Sequence, residues 1–499
     1  MEWWGDGLAA TSSESHRVAP PPSAVRDDSA QPGAAVPQGS QPGAAVPQGS
    51  QPAAAPQEVR RAIAQTRAWL LSRQYSDGYW VAELEGDTIL ESETILLLAF
   101  LGEEDSPRAR RLARYLLEKQ LPGGGWAMAP GGGVEISGSV KAYFALKLTG
   151  HDVGSEPMVR ARRAILAHGG ADAVNSYTRF FLAMLGQIPY SLCPSVPPEA
   201  VLLPKWFPVN LWAVSSWSRT IIVPLSIVSA LEPVRWLRRD LGIGELFVKR
   251  PRDWAPLRCP GLPGGTGLVS WDRFFRIVDR LLKACQKLRC LPRRRAIRAA
   301  TRWMLDRFQR SDGLGAIFPP IVFSLVALRA LGYDDQSPEV ASCRRQLDDL
   351  MLEDPQTGAI RLQPCKSPVW DTAIAVRALA EGGTAAGDPA MVRALGWLLD
   401  QQIRRPGDWS ETVGVEPGGW CFEFHNDFYP DSDDTAMVLM ALAEQFTEEA
   451  GGDGPAADDR HEALLARTTG AIDRGLNWML AMQNDDGGWG AFDRNNNRQ

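Results

Sequence analysis

The sequence predicts an all-α protein made of antiparallel helix pairs, on three observations. From Glu58 onward apolar residues recur at three- and four-residue spacing, the period of an amphipathic helix. Gly and Pro clusters break the pattern at intervals short enough for helical hairpins, and no sustained strand alternation appears. A signature of an aromatic residue, two apolar residues, Gln, Gly and Trp also recurs along the chain. Internal repeats of helix pairs point to a solenoid or a closed toroid.

In chain order, residues 1–57 are rich in Pro, Ala, Gly, Gln and Ser, and one decapeptide recurs there almost intact. Too little apolar surface is present to offset the entropy of ordering, so a disordered tail is expected. The helical pattern then covers residues 60–73, 92–101, 108–119 and 140–147, and further on 295–308, 321–331, 371–380, 392–402, 435–444 and 462–482. The signature sits on these helices. Trp69-Leu70-Leu71 precedes Gln74, Gly78 and Trp80, and Tyr115-Leu116-Leu117 precedes Gln120, Gly124 and Trp126. Trp397-Leu398-Leu399 precedes Gln402, Gly407 and Trp409 with one extra residue, and Trp478-Met479-Leu480 precedes Gln483, Gly487 and Trp489. A degenerate copy, Trp303-Met304-Leu305 with Gln309 and Gly313, has Gly315 where the last Trp belongs. Gln can reach free backbone groups at the helix end, Gly supplies a positive-φ turn, and Trp can stack on the Gln amide and pack the turn against the next helix. These residues read as staples of the fold, and they account for much of the excess of 18 Trp over 8 Tyr.

A chain of 499 residues has room for two domains or more. Its net charge of −6 argues against nucleic acid as the main partner. Seven scattered cysteines with no CxxC pair, behind an N-terminus that has no basic n-region or apolar h-region, fit free thiols in a reducing compartment. The longest apolar run, 221–231, contains Pro224 and is too short to span a bilayer.

Phe428-Tyr429-Pro430-Asp431-Ser432-Asp433-Asp434-Thr435-Ala436 carries three carboxylates within four positions, behind two aromatics and a proline. The proline disfavours helix before it, and an apolar run follows, so the stretch predicts a loop ending at a helix N-terminus with Asp433 or Asp434 able to cap it. Like charges this close cannot all ionise cheaply, so one carboxyl is expected to keep its proton near neutral pH. Two readings stand side by side: a solvated capping cluster, or a Brønsted acid for an unreactive apolar substrate.

The ordered repeats and the acidic stretch together resemble the QW motifs and the DxDDTA motif of the squalene–hopene cyclases, triterpene cyclases of bacterial hopanoid biosynthesis. Ser367-Pro368-Val369-Trp370-Asp371-Thr372, the Pro406-Gly407-Asp408-Trp409 turn and Gly487-Gly488-Trp489-Gly490-Ala491-Phe492-Asp493 add to the match, which runs from about Glu58 to the C-terminus. The resemblance implies two α/α barrels, the second incomplete here. An inserted barrel would occupy 84–366, and the barrel carrying the acid would combine 58–83 with 367–499. It implies a metal-free and cofactor-free enzyme that polycyclises squalene to hopene or hopanol through carbocations. Asp433 would deliver the proton, with Asp431 and Asp434 holding it and sharing its charge. Trp370, Phe422, Tyr429, Ile317 and Phe318 would line the cavity. Phe181 stands where the family often has Trp, and Phe492 where some members have Tyr. The resemblance further implies a peripheral, monotopic protein on the cytoplasmic side of the cell membrane, with a homodimer among its assemblies.

Two departures from the pattern carry expectations. The degenerate copy at Gln309 suggests a loosened barrel corner. The chain stops at Gln499 in mid-pattern, before a His that in the family hydrogen-bonds the catalytic Asp, so an inactive fragment with a poorly folded C-terminal third is expected. Elsewhere, residues 268–288 place apolar side chains largely along one helical face and run into Arg289, Arg293, Arg294, Arg295 and Arg298, which suits either a membrane interface or a buried face with a solvated basic end. Cys421 and His425 near Asp427 and Asp431 read as a chance cluster rather than a metal site. Residues 348–354, rich in Asp, read as a solvated helix face. The rivals are a class II diterpene cyclase acting on a prenyl diphosphate, a prenyltransferase-like barrel binding peptide and zinc, and a non-catalytic α-toroid. The Ser-Pro-Val-Trp-Asp-Thr match favours squalene over a diphosphate, and Asp434 disfavours an epoxide substrate.

Overall fold

The computed structural model describes residues 57–207, 210–254, 271–288, 290–449 and 459–496. The expected tail lies outside them except for Gln57, which already begins a helix. The described chain is mostly helical: α1 (Gln57–Arg73), α2 (Ile89–Leu101), α3 (Pro107–Glu118), α4 (Ile136–Leu148), α5 (Glu156–Ala167), α6 (Ser176–Met184), α7 (Ser216–Leu231), α8 (Trp271–Lys287), α9 (Arg293–Asp306), α10 (Phe318–Leu331), α11 (Pro338–Asp349), α12 (Pro368–Glu381), α13 (Pro389–Asp400), α14 (Ser432–Glu449) and α15 (Asp459–Met482). Local chemistry sets these ends. Pro opens α3, α10, α11, α12 and α13, where its missing N–H costs nothing. Asn175 caps α6 through Thr178 N at 3.0 Å, and Gly102 closes α2 at φ +90°.

The helices divide by burial. Helices α2, α4 and α10 are apolar and buried around most of their circumference, whereas α3, α5 and α11 bury one stripe and expose their charges. One apolar core runs from Leu90 to Leu362, with α2 packed on α3, α4 and α10, and α7 on α9 and α10. A second core joins Trp80 to residues of α12, α13, α14 and α15, with Leu70 and Leu71 of α1 against it. So α1 packs with helices some 300 residues away in sequence: Gln74 reaches Ala390 O at 2.8 Å.

A small antiparallel hairpin, β1 (Met351–Glu353) with β2 (Ile360–Leu362), falls where the sequence suggested a helix face. Helix α11 stops at Asp349, and Asp354 turns the chain by accepting from Gln356 N and Thr357 N. A three-residue strand is too short to leave a periodic signal.

The repeated signature forms one recurring joint. Gln74, Gln120 and Gln402 each donate to a backbone carbonyl of the next outer helix and accept from its arginine, Arg393, Arg160 and Arg474 respectively. Trp80, Trp126 and Trp420 donate their indole N–H to the carbonyls of Leu70, Leu116 and Leu398 at 2.7–2.8 Å. The indole N–H thus fixes each Trp to the end of its own preceding helix. Each Trp backbone N–H goes to a hydroxyl of an inner helix: Thr372, Ser139 and Thr435.

The third copy therefore differs from the sequence reading. Its glycine is Gly418, where an added Cβ would lie 2.4 Å from Arg474 O, as at Gly124 against Arg160 O. Its tryptophan is Trp420. Gly407 instead meets Phe428, and Trp409 packs edge-on against Trp478 with centroids 6.0 Å apart. Trp420→Phe is expected to lower stability by about 2–3 kcal/mol, because it removes a buried hydrogen bond as well as packing. Trp409→Phe should cost about 1 kcal/mol, since its indole N–H has no partner to lose. Urea unfolding of both variants checks the assignment, and equal losses would contradict it.

At the degenerate copy Gln309 is exposed and forms no such joint. The corner is held another way: Asp312 N donates to His425 O at 2.8 Å, Asp427 N to Arg310 O at 3.2 Å, and Ser311 bridges Asn426.

Candidate active site

The acid motif sits on the joint just described. Asp431 N donates to Trp420 O at 2.9 Å, and Thr435 Oγ1 accepts from Trp420 N. Helix α14 begins at Ser432, one residue before the two candidate caps, and Asp431 caps it by accepting from Asp434 N at 2.7 Å. The expected caps, Asp433 and Asp434, lie inside the first turn. Ser432 is clamped from the far end of the chain, its N donating to Ala491 O at 2.8 Å and its Oγ to Gly490 O at 3.0 Å. This clamp brings half-buried Phe492 next to the motif, 5.4 Å from the Trp217 ring.

The three carboxylates have different surroundings. Asp433 is exposed at the helix start. Asp431 and Asp434 are buried, and Asp434 Oδ1 has no hydrogen-bond partner. Desolvation, with mutual repulsion, pushes the carboxyl of Asp434 far up, so it stays protonated at neutral pH. Desolvation also raises Asp431, to about 7. Glu423 is a further buried acid that sequence reasoning missed; burial raises it well above the usual carboxylate range.

Tyr429 is buried and its hydroxyl donates to Asp408 at 2.8 Å. Asp408 accepts from Arg307, whose guanidinium lies 3.8 Å from the centre of the Trp303 ring. Arg219 approaches Asp408 at 3.9 Å and grips Asp493 at 2.6 Å. The side chains of Arg219, Asp408 and Asp493 are 1%, 2% and 6% exposed. Asp408 and Asp493 come from the acid-bearing side and the arginines from α7 and the end of α9. One ionic chain thus ties the two cores together beneath the motif. The sequence signal was present only as the Pro-Gly-Asp-Trp and Gly-Ala-Phe-Asp strings, which carry no hint of their partners.

Among the other candidate lining residues, Ile317 and Phe318 are buried, and Phe318 N donates to Pro364 O at 2.9 Å, beside Cys365. Phe181 is buried within the first core, 5.7 Å from Phe323. Trp370, at the start of α12, and Phe422 are half-buried. Cys421 is buried and donates to Glu423 O, whereas His425 turns outward to Asp312, so the two diverge.

These raised acids give stability a definite slope. A group that holds its proton more tightly when folded contributes fully below its unfolded pKa of about 4, and loses that contribution as pH climbs to its folded value. Asp87 is raised to about 6, Asp431 to about 7 and Glu91 to about 8, all chiefly by desolvation. His425, raised by its bond to Asp312, adds a change of the same sign. The urea midpoint should fall steadily from pH 5 to pH 8, and a rise across that range would contradict the assignment.

Comparison with known proteins then gives a consistent result. Residues 63–356 match the squalene-hopene cyclase N-terminal domain, and residues 366–499 the squalene-hopene cyclase C-terminal domain. The squalene–hopene cyclase of Zymomonas mobilis is 40% identical over 441 residues, covering 86% of this chain and 63% of the relative. That of Bradyrhizobium diazoefficiens is 39% identical over 442 residues, covering 87% and 64%. That of Alicyclobacillus acidocaldarius is 37% identical over 439 residues, covering 87% and 65%. The chain thus spans a little under two thirds of the length of these relatives.

Proposed function

The chain belongs to the squalene-hopene cyclase family, and from that premise we propose that it carries the acid and much of the cavity lining of a proton-initiated squalene cyclase. Asp433 is the proton donor. The observation that carries this reading is the neutral, buried Asp434 behind an exposed Asp433 at a helix N-terminus. Asp433 stands at the positive end of α14, beside Asp434, which holds its own proton. The aromatic faces of Trp370, Phe422, Phe181, Phe318 and Phe492 steady the successive carbocations, each such contact being worth about 2 kcal/mol when desolvated. Loss of a proton, or capture of water, ends the cascade as hopene or hopanol.

The proposed architecture is two α/α toroids, with 84–366 inserted into the unit formed by 58–83 and 367–499; the separate cores and the Gln74–Ala390 bond support it. The protein is proposed to attach to one face of a membrane through α8, which exposes Phe274, Ile277, Leu281 and the following Leu288 next to Lys287. No helix among the described residues is long and apolar enough to cross a membrane. Flotation with anionic liposomes checks this, and unchanged partitioning after Arg293, Arg294, Arg295 and Arg298 become Glu would count against it.

The 499-residue chain alone is proposed to be inactive, because the acid faces solvent and the fourth joint stands open, with Trp489 44% and Leu480 65% exposed. The test is to assay squalene turnover by this chain and by a fusion that adds the part of the Zymomonas mobilis relative outside its match. Hopene from the fusion alone is the expected outcome, and equal product from both would overturn the inactivity.

A further inference from the structure

Each turnover of the proposed reaction removes one proton from the acid motif, and the proton must be replaced from water. The buried oxygens near the motif suggest how. Glu423, 2% exposed, uses Oε2 to accept from Asn426 Nδ2 at 3.1 Å, but its Oε1 has no partner, nor has the neighbouring Asn426 Oδ1. Asp434 Oδ1 is likewise buried and unpaired. Unpaired buried oxygens cost free energy and call for a functional account. The Trp420–Asp431 backbone bridge brings the segment carrying Glu423 alongside the motif, where Glu423 disfavours charge on Asp434, Asp431 disfavours charge on Glu423, and the thiols of Cys365 and Cys421 feel both Glu423 and Asp434. On its other side Glu423 lines a cleft of about 350 Å³ that opens to solvent between Asp312, Arg345, Lys366 and His425. His425 and Asp312 pair at the mouth, with Nδ1 and Oδ1 3.3 Å apart.

We propose that Glu423 is the inner relay of a proton-supply route running from the cleft at Asp312 and His425, through Glu423, to Asp434 and the acid motif. This rests on the cyclase reading of the same site. Neutral Asp434 gives its proton, within the motif, to the carboxylate that Asp433 leaves behind, and is refilled at Oδ1 from Glu423. Glu423 in turn takes one proton from water in the cleft. The count balances, one proton taken from solvent for each one given to the alkene, and no electron transfer is involved. Glu423 does not touch the substrate; its role is to connect.

The route can be read without turnover. Infrared spectra of the full 499-residue chain should contain protonated-carboxyl bands that disappear in Glu423→Gln and Asp434→Asn. On transfer to D2O the Asp434 band should shift rapidly in the parent chain, and roughly tenfold or more slowly in Glu423→Gln, whose amide cannot relay a proton. Glu423→Asp should restore much of the rate, which a merely structural role would not do. If Glu423→Gln fails to fold, Asp312→Asn at the exposed mouth serves instead and should slow the same shift. Equal exchange in the parent and the relay variants, or no protonated-carboxyl band lost on substitution, would overturn the proposal. A fusion that makes no hopene while showing this exchange pattern would sink the cyclase reading and leave the relay standing.

Discussion

Asp408→Ala is expected to lower stability by about 3–5 kcal/mol, the usual cost of leaving a buried charge without its partner. The substitution strands Arg307, removes one of the two acids around Arg219, and leaves the Tyr429 hydroxyl with no acceptor. Arg307 cannot swing into water, since its guanidinium lies against Trp303 and donates to Trp303 O at 2.9 Å. Because the pair joins the two cores, urea unfolding of the variant should also separate into two steps where the parent shows one. Asp408→Asn should cost less, as its side-chain oxygen still accepts from Tyr429. The exposed pair Arg238–Asp240 is the control, and neutralising it should change stability by no more than about 0.5 kcal/mol. A loss below about 1 kcal/mol in Asp408→Ala would show that the ionic chain is not what ties the cores.

The second large effect is on chemistry. In the hopene-forming fusion, Asp433→Asn should reduce the rate by roughly 10²–10⁴-fold, the range for removing a positioned general acid. Stability should barely move, since Asp433 is exposed and makes no cap. Asp434→Asn separates the roles. An amide replaces a neutral acid of the same shape, so folding should be retained while a partner that can pass a proton is lost. A fusion with Asp433→Asn that keeps most of its rate would assign the acid to another residue.

How much of this could be seen in the sequence follows from the range of the forces involved. Gln74, Gly78 and Trp80 are spaced within one joint, so their pattern survives in one dimension. The third joint did not read correctly because 15 residues, 403–417, separate Gln402 from Gly418, where three separate Gln74 from Gly78, and Gly407-Asp408-Trp409 imitates the missing half. Asp431 rather than Asp433 or Asp434 caps α14 because its backbone is already held by Trp420, a tertiary contact that local spacing does not reveal. Asp408 showed no sign of its role, as its arginine partner Arg307 lies 101 residues away and belongs to the other core. The acid motif itself was legible as chemistry, but which acid is dry and which is wet is set by tertiary packing. Glu423 illustrates the limit: one acid in an aromatic stretch became notable only when the structure buried it beside Asp434.

Asp433 is proposed to start the reaction by giving a proton to squalene. The most direct measurement is to run the fusion in D2O with unlabelled squalene and weigh the product by mass spectrometry. Hopene formed in this way should carry one deuterium at the carbon protonated first, and Asp433→Asn should form it roughly 10²–10⁴-fold more slowly. Unlabelled hopene, or labelled hopene formed as fast without Asp433, would contradict the account.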